Sequence, residues 1–279
     1  MLLFAATAGA EEPEAFFENA EADAIGKIIR RHDSPTLKFT VERFIMESEK
    51  CFLTRIWVQD PSRQIRKATA DWEKNIMQPA NIAKKISDVQ LAVNGSGFVS
   101  PQYPEIPDNY PGSSEDYYYT PLGSLTITGG EVFRKLEGIP YYGLALDADG
   151  LQMYTGADNE EVLATEPSQT WSFYTGCPML RNNEDLLPKE WKFADNKASR
   201  TIIARVNRNN YLILTVTKSK GKGLSLRRAE KFFLANFNTE WVYNLDGGLS
   251  FALLLREKNK IKRLAGGYAK VVDVMGFTE

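Results

Sequence analysis

The segment from Trp241 to Ser250, WVYNLDGGLS, contains the residue types best suited to chemistry. Asn244 and Asp246 are two positions apart, so a strand places both side chains on the same face. Two glycines follow, where the backbone can approach a ligand closely. A carboxylate in this position can act as a nucleophile, a base or a ligand anchor. The alternative is an ordinary turn, because Asp-Gly-Gly also suits a turn with positive φ.

Two other polar groups stand at the ends of apolar strands. Ser199-Arg200-Thr201 enters the strand that begins with Ile202, and an arginine there can donate two parallel hydrogen bonds to a phosphate. Taken singly, Arg200 also fits a surface ion pair. Asn94 and Gly95 follow the apolar run 89–93, and polar tips after buried strands commonly contact ligands.

Charge and histidine content exclude several functions. The 34 Lys and Arg residues against 36 Asp and Glu leave a net charge of −2, so no global field attracts nucleic acid, and we expect no nucleic-acid partner. The single histidine, His32, excludes a His-rich zinc site. We predict no cofactor and assign no metal ligand. Structural calcium is left open, although the sequence has no EF-hand spacing. The sequence makes no prediction of oligomeric state.

The N-terminus, MLLFAATAGA, resembles the end of a signal peptide with Ala8-Gly9-Ala10 as its cleavage site, although it has no basic region. We therefore expect a secreted or extracytoplasmic protein; the alternatives are a misassigned start or a merely apolar N-terminus. No run reaches the ~18 apolar residues of a membrane span. Cys51 and Cys177 fit either one disulfide or two buried thiols.

The apolar pattern predicts a single α+β domain over residues 37–279, with a strand-rich mixed sheet core and a few flanking helices. Residues 1–10 are interpreted as a signal-peptide remnant. Residues 11–36 are interpreted as an acidic peripheral helix or pro-segment followed by a short linker, because apolar residues are spaced at helical intervals and Ser34-Pro35 breaks the pattern. Predicted hairpins pair 51–59 with 64–70, 142–147 with 151–155, and 201–206 with 211–217. Helices are predicted at 80–86, 160–164 and 224–236.

The stretch from Pro101 to Pro121 is rich in proline, tyrosine and acidic residues. Its length exceeds that of most loops, which favours a functional or a mobile segment. Its tyrosines suit stacking on sugar faces, or a cover packed over the core. Both interpretations stay open from the sequence.

Four motifs, taken in order, resemble those of the phosphodiester glycosidase domain family. They are AVNGSGF (92–98), FYTGCPML (173–180), SRTIIA (199–204) and NLDGGLS (244–250). The family patterns are an I-N-G-x-F-F strand end, a G-P-x-L segment, an R-T-A-I-G strand and an N-L-D-G-G-G-S-S turn. Order and spacing agree over about residues 37–277.

This resemblance implies hydrolysis of a sugar-1-phosphate diester in a glycan or cell-surface polymer. It implies Asp246 as the carboxylate acting on the anomeric centre or its water, and Arg200 as the phosphate clamp. A second carboxylate is not evident; Asp147 and Glu240 are candidates. The remaining residues implied in substrate binding are Asn94, Gly95, Gly176, Thr201, Asn244, Gly247, Gly248 and Ser250.

The sequence departs from the family patterns at Leu249, Phe251, Ala204 and Gly97. Leu249 replaces the third glycine of the turn and Phe251 its second serine, which predicts a narrower or more apolar pocket. These departures leave open a second function, a glycan-binding or envelope-associated protein that does not hydrolyse.

Overall fold

The computed structural model describes residues 23–102, 104–173, 177–218 and 222–279. Within these ranges the chain forms eighteen strands and four helices. In chain order the strands are β1 (Lys27–Asp33), β2 (Leu37–Met46), β3 (Glu49–Val58), β4 (Ile65–Thr69), β5 (Val89–Asn94), β6 (Leu125–Thr128), β7 (Glu131–Lys135), β8 (Tyr141–Asp147), β9 (Gly150–Ala157), β10 (Gln169–Ser172), β11 (Pro178–Arg181), β12 (Glu184–Asp185), β13 (Arg200–Arg205), β14 (Asn210–Val216), β15 (Trp241–Asn244), β16 (Ala252–Glu257), β17 (Lys260–Gly266) and β18 (Asp273–Thr278). The helices are α1 (Pro61–Gln64), α2 (Pro79–Ala83), α3 (Asn159–Leu163) and α4 (Leu226–Asn236).

The described strands form four antiparallel sheets. The largest sheet has the order β1-β2-β3-β14-β13-β15-β11-β12, and a five-stranded sheet has the order β17-β16-β5-β18-β4. A three-stranded sheet, β10-β8-β9, and the hairpin β6-β7 complete the set. The predicted class, a strand-rich α+β domain, is confirmed.

Alternating side chains of the largest sheet fill two different cores, because successive residues of a strand point to opposite faces. Ile203 and Ile213 pack into a central core that the five-stranded and three-stranded sheets share. Ile202 and Leu212 face a second core, which α4 covers with side chains such as Phe233. The Ser225 hydroxyl caps α4 by accepting from the Arg228 N–H at 3.2 Å.

Helix α2 covers the outer face of the five-stranded sheet. Its Ile82 and Ala83 pack on Val274 and Leu254, all of them buried. The five-stranded sheet is therefore enclosed between α2 and the central core, and the ends of its strands are the parts left to form a site.

Two elements of the prediction are wrong. Residues 27–31 were expected in a helix, but Lys27–Asp33 is strand β1, which pairs with β2 and extends the largest sheet in front of Leu37. The strands at 51–59 and 64–70 do not form a hairpin. Strand β3 pairs with β2 and β14, whereas β4 pairs with β18 in the other sheet. Helix α1, with Pro61 at its first turn, separates them.

The other predicted hairpins are confirmed, since β8 pairs with β9 and β13 with β14. Helices α2, α3 and α4 lie within two or three residues of their predicted bounds. In the part of the chain that the structure describes, every helix is too short or too polar to cross a membrane. The predicted segment 1–10 and residues 11–22 of the segment 11–36 lie outside the described residues.

Candidate active site

The Asn-Leu-Asp-Gly-Gly turn lies where the chain passes from the largest sheet to the five-stranded sheet. It leaves β15 at Asn244 and enters β16 at Ala252. Backbone hydrogen bonds fix it to both sheets: the Leu245 N–H donates to the Thr201 carbonyl at 2.9 Å, and the Asp246 N–H donates to the Gly95 carbonyl at 3.1 Å. The turn is therefore held at the junction of two sheets rather than free in solvent.

A cleft of about 980 Å³ opens beside this turn. Its wall is built by five separate segments: the chain after β4, the chain after β5 with the start of the tyrosine-rich segment, Tyr119 near the end of that segment, the turn itself, and the loop before β18. The described residues that line the cleft are Lys74, Asn75, Ile76, Phe98, Ser100, Pro101, Gln102, Pro104, Glu105, Tyr119, Asp246, Leu249, Ser250, Ala269 and Lys270.

Asp246 lines this cleft, and the surroundings of its carboxyl group raise its pKa. Burial raises the pKa of Asp246 to about 7, and the negative charge of Asp273 also acts to raise it. Hydrogen bonds from the Ser250 hydroxyl and the Gly247 N–H act in the opposite direction and lower the pKa. The Gly247 N–H donates to Asp246 Oδ1 at 2.8 Å. A pKa near 7 populates both the carboxylic acid and the carboxylate at neutral pH, which suits a general acid or base.

Asn94 is buried beneath the turn and connects three strands. Its Nδ2 donates to the Asp246 carbonyl at 2.6 Å, and its Oδ1 accepts from the Thr201 hydroxyl at 2.7 Å and from the Ala252 N–H at 2.9 Å. Asn94 and Thr201 are both fully buried. These two residues were predicted to bind substrate; the structure instead shows them holding the backbone that carries Asp246.

Gly95 brings a buried carboxylate close to the same backbone. A Cβ at Gly95 would lie 2.1 Å from Asp273 Oδ1 and 2.8 Å from Trp171 Cδ1, so no larger residue fits without displacement. Asp273 Oδ1 accepts from the Ser96 N–H at 2.6 Å. The close approach expected at Gly95 is therefore to Asp273, a residue that the motifs did not single out.

Arg200 does not line the cleft. Its guanidinium is nearly buried, donates to the Leu224 carbonyl at 3.2 Å and the Asn196 carbonyl at 2.5 Å, and packs over the Phe193 ring. These side-chain donors satisfy backbone acceptors inside the protein, and the role of Arg200 as a phosphate clamp stays a prediction.

Of the remaining predicted residues, one lines the cleft and others support the turn. Ser250 lines the cleft. Gly248 has φ +59°, and its N–H donates to the Ser199 carbonyl at 2.9 Å, while a Cβ at Gly247 would lie 2.6 Å from that same carbonyl oxygen. Asn244 is fully buried, with its carboxamide against the Cys177 thiol. Gly176 lies outside the described residues.

Three charged residues of the cleft were missed by the motif analysis. Lys74, Lys270 and Glu105 all line it, and all are exposed. The acidic, tyrosine-rich composition around Glu105 was a usable signal, whereas the two lysines stand in segments without a motif. The candidate partner carboxylates lie elsewhere: Asp147 ends β8, and Glu240 forms an ion pair with Arg205 at 2.7 Å.

The tyrosine-rich segment packs some of its rings inside the protein and places another at the cleft. Tyr110 and Tyr117 are buried in a small core of their own, and Arg134 stacks on the Tyr117 ring at 4.7 Å. Tyr119 lines the cleft and has φ +62°, an unusual backbone conformation for a bulky side chain. Such outliers persist where the surrounding structure imposes them and are common at functional sites.

The two departures at the turn have different environments. Leu249 lines the cleft and is 68% exposed, as expected of a residue that makes the pocket more apolar. Phe251 is instead packed in the central core and does not line the cleft. Cys51 and Cys177 are both buried and free. Across the described residues, no group of three or more His, Cys, Asp or Glu side chains is placed to hold a metal ion.

Comparison with known proteins gives a family and a fold. The sequence pattern of the phosphodiester glycosidase family matches residues 87–278. The catalytic domain of zebrafish N-acetylglucosamine-1-phosphodiester alpha-N-acetylglucosaminidase, auto-inhibited by its pro-peptide, is similar in structure, with a TM-score of 0.65 and 18% identity over 90% of this chain and 87% of that chain. A hypothetical protein from Synechocystis has a TM-score of 0.56 and 13% identity over 88% of this chain and 63% of that chain. A search of curated proteins found no match.

Proposed function

The chain belongs to the phosphodiester glycosidase family, and we propose that it hydrolyses a sugar-1-phosphate diester in a glycan or cell-surface polymer. The observation that carries this proposal is Asp246, whose carboxyl group lines the cleft and has a pKa of about 7. The neighbouring Ser250 hydroxyl and Gly247 N–H hold that carboxyl group in place.

In this reaction the ionised Asp246 takes a proton from a water molecule as the water oxygen bonds to the anomeric carbon. The bond between that carbon and the phosphate oxygen breaks, and its electron pair leaves with the phosphate. The products are the free sugar and a phosphomonoester. A phosphate ester is a good leaving group, so strong acid catalysis matters less than in ordinary glycosidases, and one carboxylate with a suitable pKa is sufficient for the proton transfer.

The negative charge of the substrate requires local cations, because the whole chain has a net charge of only −2. Among the described residues, the cations that line the cleft are Lys74 and Lys270. We assign the phosphate contact to these lysines in place of Arg200. Replacing both with methionine removes two ammonium groups and should raise KM by about tenfold. The double variant Lys84→Met/Lys189→Met, which changes exposed lysines away from the cleft, is the control, and an equal effect in both would contradict the assignment.

Sugar release from a panel of sugar-1-phosphodiesters tests the function. The wild-type protein should release sugar from at least one member, and Asp246→Asn should reduce that rate by about 100-fold or more. Glu131→Gln, an exposed carboxylate on β7, should keep the wild-type rate. Full activity of Asp246→Asn would contradict its role.

Leu249 favours a second function, glycan binding without hydrolysis. It replaces a glycine of the family turn and is exposed in the cleft directly beside the catalytic segment. Binding of sugar phosphodiesters without any sugar release would support this second function against the first.

We also propose that the protein is exported, on the basis of the Ala8-Gly9-Ala10 pattern. The mass of the mature protein, isolated from its native source, decides this point. A chain that starts at Glu11 supports export, and a chain that retains Met1 contradicts it.

A further inference from the structure

Two large apolar side chains stand exposed at adjoining segments of the cleft. Leu249 is 68% exposed and Tyr268 is 87% exposed. Leu249 lines the cleft, and the residues directly after Tyr268, Ala269 and Lys270, line it as well. Within the described residues only four other large hydrophobic side chains are exposed, Ile45, Val132, Phe133 and Leu234, and none of these lines the cleft.

The two segments are in direct contact through Gly267. A Cβ at Gly267 would lie 2.2 Å from the Leu249 carbonyl oxygen, and the Gly267 N–H donates to the Phe251 carbonyl at 3.0 Å. Leu249 and Tyr268 are therefore presented from neighbouring pieces of backbone whose separation is fixed by packing.

Tyr268 is held in position despite its exposure. The Arg263 guanidinium lies 4.7 Å from the centre of its ring, and Gln78 Nε2 donates to its carbonyl at 2.6 Å. Arg263 Nη2 in turn donates to Gln78 Oε1 at 3.0 Å. An exposed aromatic ring that is fixed on one side loses little conformational entropy when a ligand covers the other side.

We propose that Leu249 and Tyr268 form an apolar rim that binds the non-sugar ester group of the substrate, so that the preferred substrates are sugar-1-phosphate diesters of an apolar alcohol. This inference rests on the proposed function. Lys270 lies two residues from Tyr268 and Asp246 three residues from Leu249, so the rim adjoins both the assigned phosphate contact and the reacting carboxylate. The alcohol that is esterified to the phosphate, on the side away from the sugar, is the part of the substrate that extends past Lys270 and Asp246 towards the rim.

Single exposed apolar side chains are ordinary on protein surfaces, whereas contiguous apolar patches mark ligand-binding grooves, and we treat Leu249 and Tyr268 as one such patch. Alkyl carbons laid against Leu249 and the Tyr268 ring leave water and stabilise the complex in proportion to the area covered. A polar alcohol such as a second sugar gains much less from these contacts. The rim therefore selects by the chemistry of the alcohol.

The experiment compares the methyl and hexyl diesters of one sugar 1-phosphate, chosen as the one from which the free sugar is released fastest. In the wild-type protein kcat/KM for the hexyl diester should exceed that for the methyl diester by about tenfold. In Leu249→Ser and Tyr268→Ser this ratio of kcat/KM values should fall to about twofold. Ile45 is an exposed apolar residue on β2, and the control variant Ile45→Ser should keep the wild-type ratio. Because both diesters are measured with the same protein sample, the ratio does not depend on how much of that sample is folded. Equal rates for the two diesters in the wild-type protein would overturn the inference and leave hydrolysis intact.

A binding measurement keeps the inference independent of turnover. Calorimetry with hexyl phosphate and methyl phosphate should give tighter binding of hexyl phosphate to the wild-type protein, and this difference should be lost in Tyr268→Ser. If no diester is hydrolysed but this difference is found, the rim stands and the proposed hydrolysis fails. If Tyr268→Ser changes the oligomeric state on gel filtration and leaves the alkyl preference unchanged, the rim is an interface between copies and the inference is wrong.

Discussion

Lys67 Nζ and the Asp273 carboxylate lie 3.1 Å apart, and neither side chain is exposed to solvent. Lys67 also lies over the rings of Trp72 and Trp171, at 5.1 and 5.6 Å from their centres. Burial lowers the pKa of Lys67, while the charge of Asp273 opposes that effect. The pair acts on the surroundings of Asp246, because Asp273 accepts from the Ser96 N–H and its charge raises the Asp246 pKa.

Removing the charge of Asp273 should shift the pH dependence of hydrolysis. With Asp246 acting as a base, kcat/KM rises with pH around the Asp246 pKa of about 7. Asp273 contributes to raising this pKa, so Asp273→Asn should move the rise to lower pH, by about 1 unit. The measurement is kcat/KM from pH 5 to 9. The double variant Lys67→Met/Asp273→Asn, which removes both charges of the pair, should shift the profile in the same direction, and an unmoved profile in both variants would contradict the coupling.

Breaking the pair from the other side should unfold the protein more easily. Lys67→Met leaves the Asp273 carboxylate buried without its cation, which should lower the free energy of unfolding by about 3 kcal/mol. The matched variant Lys262→Met breaks the exposed pair with Glu257, 2.7 Å long, and should change stability by less than about 1 kcal/mol. Urea denaturation at pH 7 compares the two variants. Similar midpoints would show that breaking the buried ion pair costs no more stability than breaking the exposed one.

Asp246 should destabilise the folded protein at alkaline pH. Its pKa is raised from 3.8 to about 7 on folding, so between these values the folded state holds a proton that the unfolded state has lost. Stability therefore falls as pH rises through this interval and stays lower above it. Asp246→Asn should be more stable than wild type at pH 8 by about 1 to 3 kcal/mol and nearly equal at pH 4. Urea denaturation at both pH values measures this, and equal stability at pH 8 would argue against a raised pKa.

Tyr119 should contribute to sugar binding. Its ring belongs to the cleft wall, where it can stack on the apolar face of a sugar, and Tyr119→Ser should raise KM by about fivefold. Tyr118→Ser is the matched control, since Tyr118 packs on the small core of the tyrosine-rich segment and does not line the cleft. KM values for the two variants on one substrate decide the matter, and a larger effect of Tyr118→Ser would favour a purely structural segment.

Local patterns predicted the local structure well. The Ala148-Asp149-Gly150 turn, the alternating strands that flank residues 207–209 and the apolar stripe of α4 each depend on neighbours in the sequence. Strand β1 was mistaken for a helix because its partner β2, not its own spacing of apolar residues, determines its conformation. The expected hairpin of β3 and β4 failed for the same reason, since each strand pairs with a distant strand.

The sequence alone determined the family and the strand-rich α+β class, and it predicted a role for Asp246, because these depend on residue types at fixed spacing along the chain. Only the tertiary structure decided which polar residues face the cleft. It turned Asn94, Thr201 and Arg200 inward, where buried backbone and side-chain groups must be hydrogen-bonded. It also placed Lys74, Lys270 and Tyr119 around Asp246 from segments far apart in the chain. Whether a polar side chain supports a site or faces a ligand depends on partners that fold against it, and sequence spacing contains no record of those partners.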